Sequence, residues 1–224
     1  MKVIIFGATG MVGQGALREC LADPQVESIL IVGRSSSGVE NPKVREIVQP
    51  DLFDYSTLEG ELTGFDACFF CLGISAAGMS EEAYHRISVD LTLAAAQVLS
   101  TLNPDMTFIY VSGMGTDSTE KGRIMWARVK GKTENELLKL PFKAAYMFRP
   151  AYIQPLDGIQ SRTKAYRVLY GIVGPLFPVF QALFPRYVTT TERVGLAMIR
   201  VARQGYPQPI LENDAINRLA ATNR

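Results

Sequence analysis

The stretch Val3-Ile4-Ile5-Phe6-Gly7-Ala8-Thr9-Gly10-Met11-Val12-Gly13 decides the fold. Four apolar residues with high β propensity run into three glycines spaced Gly-x-x-Gly-x-x-Gly, and a helix-forming sequence follows. This order predicts a strand, a tight turn and a helix, in which Gly7 permits the turn, Gly10 lets a ligand approach and Gly13 lets the helix pack closely. Because a helix N-terminus offers free N–H groups and a positive dipole end, the motif is typical of a diphosphate site. An ordinary glycine-rich turn is the alternative.

Length and composition limit the class of protein. The 224 residues suit one domain, and 47% hydrophobic with 20% charged residues is typical of a globular protein with a core. The formal net charge of +1 provides no field that would attract nucleic acid, so no nucleic-acid partner is expected. No secretory signal is visible and the three cysteines do not suggest a disulfide scaffold, so the sequence predicts a cytoplasmic protein.

Cysteine and histidine usage predicts no metal site. Cys68 and Cys71 have the C-x-x-C spacing, but they lie in a predicted strand, where an odd separation places two side chains on opposite faces. His85 is the only histidine of the sequence. Without a cluster of histidine, cysteine and carboxylate side chains, a metal-dependent reaction is not expected.

Apolar runs with β propensity alternate with helical patterns along most of the chain. The predicted strands are Lys2–Phe6, Ser28–Gly33, Val44–Gln49, Ala67–Leu72, Met106–Ser112 and Ala144–Phe148. The alternation predicts an α/β fold with a doubly wound parallel sheet, the Rossmann fold. Its carboxyl edge would bring the glycine-rich turn next to the ends of the fourth and fifth strands, where ligands bind in such folds. We place this dinucleotide-binding core at residues 1–155.

The pattern changes after residue 155. The run 168–184 is strongly apolar, but Pro175 and Pro178 would break a helix, and the run is shorter than the ~20 residues that span a bilayer. A substrate-pocket wall, a subunit interface and a membrane-surface anchor all remain open for it. We expect residues 156–224 to form a small, mostly helical C-terminal appendage for substrate or interaction, packed on the core as one structural unit. A homodimer and weak association with a membrane surface are compatible with it, whereas a transmembrane segment is not expected.

The residues after the second predicted strand favour NADP over NAD. In NAD-dependent proteins, an acidic residue about 20 residues beyond the glycines binds the adenosine ribose. That place holds Gly33-Arg34-Ser35-Ser36-Ser37, which offers a cation and three hydroxyls instead. A guanidinium and hydroxyls suit a 2′-phosphate, whereas a carboxylate would repel it. A solvated turn is the alternative interpretation.

A series of short motifs along almost the whole chain resembles the atypical and extended short-chain dehydrogenases. The series is Gly-Ala-Thr-Gly-Met-Val-Gly13, Val-Gly-Arg34, Asp-Leu52, Cys-Leu-Gly73, Tyr-Val-Ser112, Val-Lys-Gly131 and Phe-Arg-Pro150. Within that family, the chain is similar to the NAD(P)-binding oxidoreductases of the HTATIP-like (Tat-interacting protein) branch. The resemblance implies oxidation or reduction of a small carbonyl or hydroxyl substrate.

The resemblance also implies a role for each residue that matches a family motif. The diphosphate would be held by Gly7, Thr9, Gly10, Met11 and Val12, and the adenosine phosphate by Arg34 and Ser35. The adenine would be flanked by Asp51 and Leu52. The nicotinamide ribose would lie along Cys71, Leu72, Gly73 and Lys130, and the nicotinamide ring along Pro150 and Ile153. Ser112 matches the catalytic serine. Lys130 matches the lysine of the Tyr-x-x-x-Lys motif, which holds the ribose and lowers the pKa of the tyrosine.

One catalytic position departs from the family pattern. Trp126 stands four residues before Lys130, where the family has tyrosine. A phenol exchanges a proton with the substrate oxygen, whereas an indole N–H donates a hydrogen bond but is no proton shuttle near neutral pH. The spacing still places both side chains on one helix face. The sequence therefore leaves open an active enzyme and a cofactor-binding regulatory or interaction protein with lost or weak catalysis, and Trp126 as a plain packing residue is a further alternative.

Other side chains are candidates to replace the missing phenol. Tyr84 and His85 begin the helix after the fourth strand, and Tyr152 follows the sixth strand. Ser112 with an ordered water is a simpler candidate. Glu134 and Glu136 lie further along the helix that carries Lys130, and we expect both to be exposed to solvent.

Overall fold

The computed structural model describes residues 1–159 and 177–221. Its strands are β1 Lys2–Phe6, β2 Ser28–Gly33, β3 Val44–Val48, β4 Ala67–Phe70, β5 Thr107–Val111, β6 Ala144–Arg149, β7 Tyr152–Gln154, β8 Val188–Thr190 and β9 Ile210–Glu212. Seven of them form one sheet in the order β3-β2-β1-β4-β5-β6-β9, with every neighbouring pair parallel. The doubly wound α/β fold predicted from the sequence is confirmed.

Helices cover both faces of this sheet. They are α1 Met11–Ala22, α2 Glu81–His85, α3 Leu91–Leu102, α4 Met125–Leu137, α5 Phe177–Leu183, α6 Thr191–Gln204 and α7 Asn213–Ala221. A π-helical turn, Arg86–Asp90, joins α2 to α3. Within the described ranges, no helix is both long and apolar enough to cross a membrane.

The side chains of the central strands divide between two buried layers. Val3 and Ile5 face the layer that contains α1 and α6, whereas Ile4 and Phe6 face the layer that contains α3. This division follows from the period of two along a strand. Cys68 and Cys71 likewise contact opposite layers, as predicted.

The C-terminal part of the chain contributes to the main sheet and to its cover. β9 pairs with β6, and α6 packs against α1. β7 and β8 form a separate two-stranded parallel pair, which no sequence pattern predicted. Residues 168–176 of the apolar run lie outside the described residues, and the division of the chain at residue 155 stays a prediction.

Two glycines set the distance between α1 and α6. A Cβ atom at Gly15 would lie 2.6 Å from the carbonyl oxygen of Thr191, and one at Gly195 would lie 3.0 Å from the carbonyl oxygen of Gly15. The two helix backbones are therefore in near-direct contact, which larger side chains would prevent.

We expect Gly15→Ala to lower the free energy of unfolding by about 1–3 kcal/mol, because the added methyl group forces two packed backbones apart. Urea denaturation measures the loss. Gly60→Ala is the matched control, since a Cβ atom there would meet no atom within 4 Å. Equal stability of both variants and the wild-type protein would show that the two helices are not in close contact.

Candidate functional site

Two neighbouring cavities lie at the carboxyl edge of the main sheet. One has a volume of about 550 Å³ and adjoins the glycine-rich turn. The other has a volume of about 830 Å³ and lies beside α4. The segment that follows β4, Cys71 to Ser75, lines both cavities. They can therefore hold two ends of one extended ligand.

The glycine-rich turn has the backbone geometry of a diphosphate cradle. Gly7 has a φ of +76°, and a Cβ atom there would lie 2.7 Å from the backbone nitrogen of Leu72. A Cβ atom at Gly13 would lie 2.1 Å from the carbonyl oxygen of Gly7. Gly10 caps α1 without a side-chain hydrogen bond, so no cap side chain competes for the N–H groups of the first turn. These features fit the phosphates of a dinucleotide.

Most of the predicted site residues line one of the two cavities. The smaller cavity is lined by Gly7, Thr9, Gly10, Arg34 and Ser35, the larger by Met11, Val12, Ser112, Trp126, Lys130, Pro150 and Ile153, and both by Cys71, Leu72 and Gly73. Asp51 and Leu52 are placed differently. Leu52 is only 2% exposed and packs in the core layer of α3, and Asp51 accepts a hydrogen bond from the backbone N–H of Phe53 at 2.9 Å.

A carboxylate occupies part of the loop that the sequence assigns to the adenosine phosphate. The Ser36 hydroxyl donates to Glu46 at 2.5 Å, and the Ser37 backbone N–H donates to the same carboxylate at 3.0 Å. Although burial opposes ionisation, these bonds hold the pKa of Glu46 below its usual value. Of the three predicted hydroxyls, Ser36 and Ser37 thus bind Glu46. Arg34 and Ser35 are exposed beside the smaller cavity.

Lys130 projects from α4 onto the end of β5. Its Nζ donates hydrogen bonds to the carbonyl oxygens of Ser112 at 2.8 Å and Val111 at 3.3 Å, and it lies 5.5 Å from the centroid of the Tyr110 ring. Burial lowers the pKa of Lys130 to about 8, against an opposing influence from the negative charge of Glu134. Among the described residues, Lys130 is the only charged side chain that lines the larger cavity.

The Ser112 hydroxyl contacts a buried carboxylate. Ser112 Oγ lies 2.5 Å from Glu134 Oε1 and 3.1 Å from the carbonyl oxygen of Phe148. Glu134 is 0% exposed, so the prediction that it faces solvent is wrong. The prediction fails because a cation distant in the sequence compensates this charge within the fold.

That cation is Arg149, at the end of β6. Its Nε donates to Glu134 Oε1 at 3.0 Å, and its Nη2 pairs with the other oxygen of Glu134 and binds the Ser118 hydroxyl at 2.6 Å. Its Nη1 contacts Glu212, the last residue of β9, at 3.2 Å. The sequence analysis did not predict this ion pair. Its signal in the sequence is an arginine directly after the apolar residues of a strand, because a cation buried there requires an oppositely charged partner.

Aromatic side chains form much of the larger cavity around Lys130. Trp126, Tyr84 and Tyr152 all line it. The Tyr152 hydroxyl donates to Gln154 Oε1 at 2.8 Å, and burial raises the pKa of Tyr152. His85 lies elsewhere, with its Nδ1 at 3.2 Å from an oxygen of Asp90.

No group of three or more His, Cys, Asp or Glu side chains is placed to hold a metal ion within residues 1–159 and 177–221. The larger cavity therefore brings together the motif residues Ser112, Trp126 and Lys130 with two tyrosines. Its described lining offers one ammonium group, aromatic surface and tyrosine hydroxyls, of which that of Tyr152 has a raised pKa.

Comparison with known proteins identifies the family. Residues 3–122 match the profile of the NAD dependent epimerase/dehydratase family. The chain belongs to this family. The match covers the glycine-rich turn, the segment after β4 and Ser112. The matched region therefore contains the described lining of the smaller cavity and part of the lining of the larger cavity.

Relatives and solved structures agree with this membership. The protein FMP52-2, mitochondrial, of Scheffersomyces stipitis is 30% identical over 91% of this chain and 88% of its own length. Protein HTATIP2 of Rattus norvegicus is 25% identical over 68% of this chain and 62% of its own length, consistent with the predicted branch. The fold resembles that of a UDP-N-acetylglucosamine 4-epimerase from Methanobrevibacter ruminantium, with a TM-score of 0.69 at 15% identity over 98% of this chain and 79% of the epimerase. It also resembles the Bordetella bronchiseptica enzyme WbmF in complex with NAD+, with a TM-score of 0.65 at 17% identity over 98% of this chain and 76% of that enzyme.

The same comparison corrects the predicted location. The FMP52 relatives from Scheffersomyces stipitis, Emericella nidulans and Saccharomyces cerevisiae are named as mitochondrial proteins. The prediction of a cytoplasmic protein is therefore wrong. The number of cysteines does not distinguish one compartment in which thiols stay reduced from another, so it could not locate the protein.

We expect Arg149→Met to lower the free energy of unfolding by about 3–5 kcal/mol, because Glu134 is left buried and without its cation. Guanidinium denaturation measures the loss. Arg45→Met is the control, since the Arg45–Glu61 pair lies at the surface, where such pairs contribute about 1 kcal/mol or less. If both variants lost the same small amount, the Glu134 carboxylate would not depend on Arg149.

Proposed function

We propose that the protein is an NADP(H)-binding oxidoreductase of the short-chain dehydrogenase type that acts on a small carbonyl or hydroxyl compound. The observation that carries the proposal is the position of Lys130. Its ammonium group lies at the larger cavity, which shares the segment after β4 with the cavity of the glycine-rich turn. A dinucleotide with its diphosphate at α1 would extend from one cavity into the other.

The proposal assigns each end of the dinucleotide to residues of the chain. Gly7 to Val12 would hold the diphosphate, Arg34 and Ser35 the 2′-phosphate, and Lys130 the nicotinamide ribose. Pro150 and Ile153 would line the nicotinamide, whose bound dinucleotide supplies or accepts a hydride. Asp51 and Leu52 line neither of the two cavities, so their assignment to the adenine end rests on the family motif alone.

The preference for NADP rests on charge. The exposed guanidinium of Arg34 would pair with a phosphate. The ionised carboxylate of Glu46, which Ser36 and Ser37 bind in the same loop, would repel one. The family is described as NAD dependent, and the Bordetella neighbour is a complex with NAD+. The relative affinities of the wild-type protein for NADPH and NADH decide between the two cofactors.

A second candidate function is a cofactor-binding regulatory or interaction protein with lost or weak catalysis. Trp126 favours it, because an indole occupies the position of the motif phenol and cannot exchange a proton near neutral pH. The Ser112 hydroxyl favours it too, because the nearest acceptor is Glu134 at 2.5 Å. Both candidates require the dinucleotide site, and they differ only in turnover.

We expect Arg34→Ala to weaken NADPH binding at least about tenfold while NADH binding changes little, because only NADPH carries the 2′-phosphate. Trp126 is the only tryptophan in the sequence, so quenching of its fluorescence reports binding directly, and calorimetry provides a second measurement. Arg45→Ala is the matched control, because Arg45 is an exposed cation that pairs with Glu61 and does not line the smaller cavity. If neither dinucleotide bound at low millimolar concentration, both candidate functions would be rejected.

We expect Trp126→Tyr to raise the turnover of NADPH with a panel of aldehydes and ketones by at least about tenfold, because general acid catalysis contributes roughly 10²–10⁴-fold to such reactions. Trp126→Phe is the control, since it removes the indole without adding a hydroxyl. NADPH binding should be similar in both variants when measured by calorimetry. A wild-type protein that already reduces the panel, and that is not improved by tyrosine, would rule out the regulatory candidate.

A further inference from the structure

Ser112 is held at both ends by residues one helical turn apart on α4. Its carbonyl oxygen accepts a hydrogen bond from Lys130 Nζ at 2.8 Å, and its hydroxyl lies 2.5 Å from Glu134 Oε1. Residues i and i+4 share one face of a helix, so Lys130 and Glu134 meet the same strand end. A movement of Ser112 would therefore move the acceptor that fixes the Lys130 ammonium.

Glu134 is itself held in place by a second layer of contacts. Its carboxylate is buried and pairs with Arg149, whose guanidinium also binds Ser118 and Glu212. The Glu134–Arg149 pair thus joins the ends of β5, β6 and β9 and the loop before α4. Such a network has little freedom, because any displacement separates a buried charge from its partner.

We propose that Glu134 is a positioning residue, which fixes the Lys130 ammonium at the larger cavity through Ser112 and places a carboxylate one helical turn away on the same face of α4. The inference rests on the proposed function, in that Lys130 is taken to hold the nicotinamide ribose. It assigns the Ser112 hydroxyl to the contact with Glu134, so this hydroxyl does not bind the substrate oxygen.

Lys130 depends on Glu134 because its other surroundings disfavour the charged form. Burial is the largest influence and lowers the pKa of Lys130 to about 8, and the negative charge of Glu134 raises it. The other charged or titratable groups around the site are Tyr110 on β5, Cys71 after β4, Tyr84 on α2, Tyr152 on β7, Arg149 on β6 and Glu212 on β9. Burial raises the pKa of Tyr110 and Cys71, so both stay neutral while Lys130 titrates. Without Glu134, the remaining cation Arg149 would disfavour the ammonium further.

The direct test is a titration of Lys130 by NMR in the protein labelled with ¹³C at lysine Cε, without cofactor or substrate. Lys130→Arg assigns the signal. In the wild-type protein we expect Lys130 to titrate near pH 8, and in Glu134→Gln its proton affinity should fall at least about tenfold, a change of one in the pKa. Glu136→Gln is the matched control, because Glu136 lies on the same helix but pairs with Lys139, and it should leave the titration unchanged.

A second set of variants keeps the test decisive if Glu134→Gln does not fold. Ser112→Ala retains both members of the Glu134–Arg149 pair and removes the hydroxyl that contacts Glu134 and the carbonyl oxygen of Phe148. We expect it to weaken NADPH binding about tenfold, and Ser112→Thr, which retains the hydroxyl, to restore it. A substrate-activating role for the Ser112 hydroxyl would lower turnover but leave NADPH binding unchanged.

The outcomes separate this inference from the proposed function. If Lys130 titrates identically in the wild-type protein and in folded Glu134→Gln, the positioning role is wrong. Unchanged NADPH binding in Ser112→Ala would also overturn it. If the wild-type protein binds no dinucleotide, the proposed function fails, while the titration of Lys130 still decides whether Glu134 supports its charge.

Discussion

The close contact between the glycine-rich turn and its neighbours is the constraint on which the site depends. Gly7 lies against the backbone of Leu72, and Gly13 lies against the carbonyl of Gly7. No side chain can be accommodated at either place, so β1, α1 and the segment after β4 are brought within backbone contact. This contact places the start of α1 and the end of β4 on the same edge of the sheet. Both cavities open at this edge.

A second constraint acts at the other end of the same edge. Polar side chains lie at the carboxyl ends of three neighbouring strands, with Ser112 directly after β5, Arg149 at the end of β6 and Glu212 at the end of β9. Glu134 and Arg149 are buried, whereas the Glu212 side chain is about half exposed. The ion pair between Glu134 and Arg149 satisfies these groups together, with Ser112 and Glu212 as further partners. At the glycine-rich turn, direct contact between backbones thus shapes the site. At the other end, the charges of the Glu134 and Arg149 side chains shape it. Lys130 lies beside this second arrangement, through its bond to the Ser112 carbonyl oxygen, and lines the larger cavity.

The sequence was sufficient for the parts of the fold that depend on local patterns. The bounds of β1, α1 and β2 follow from an apolar run, a glycine motif and a second apolar run, each of which acts within a few residues. The pairing of Tyr152 with Val188 has no such local signal, because each strand has three residues and the partner is distant in the sequence. The same reason explains Glu134. On a helix it has the pattern of a solvated residue, and only the fold brings Arg149 to it. Most residues that match the cofactor motifs line the two cavities, whereas Leu52 packs into the core. The sequence could not predict the burial of Leu52, because a position beside a turn does not indicate which side of the turn is buried.

The pairing of α1 with α6 has a consequence for how the molecule folds. The first helix of the chain packs against one of the last, and β6 acquires its outer neighbour only when β9 has been made. During synthesis the apolar face of α1 and the edge of β6 therefore emerge long before the segments that cover them. Contacts between segments so distant in sequence form slowly, and exposed edges and apolar faces favour association with other chains until they form. A chain that ends before α6 would still contain the sequence of the glycine-rich turn. It would lack the helix that packs against α1 and covers the buried layer on that face of the sheet.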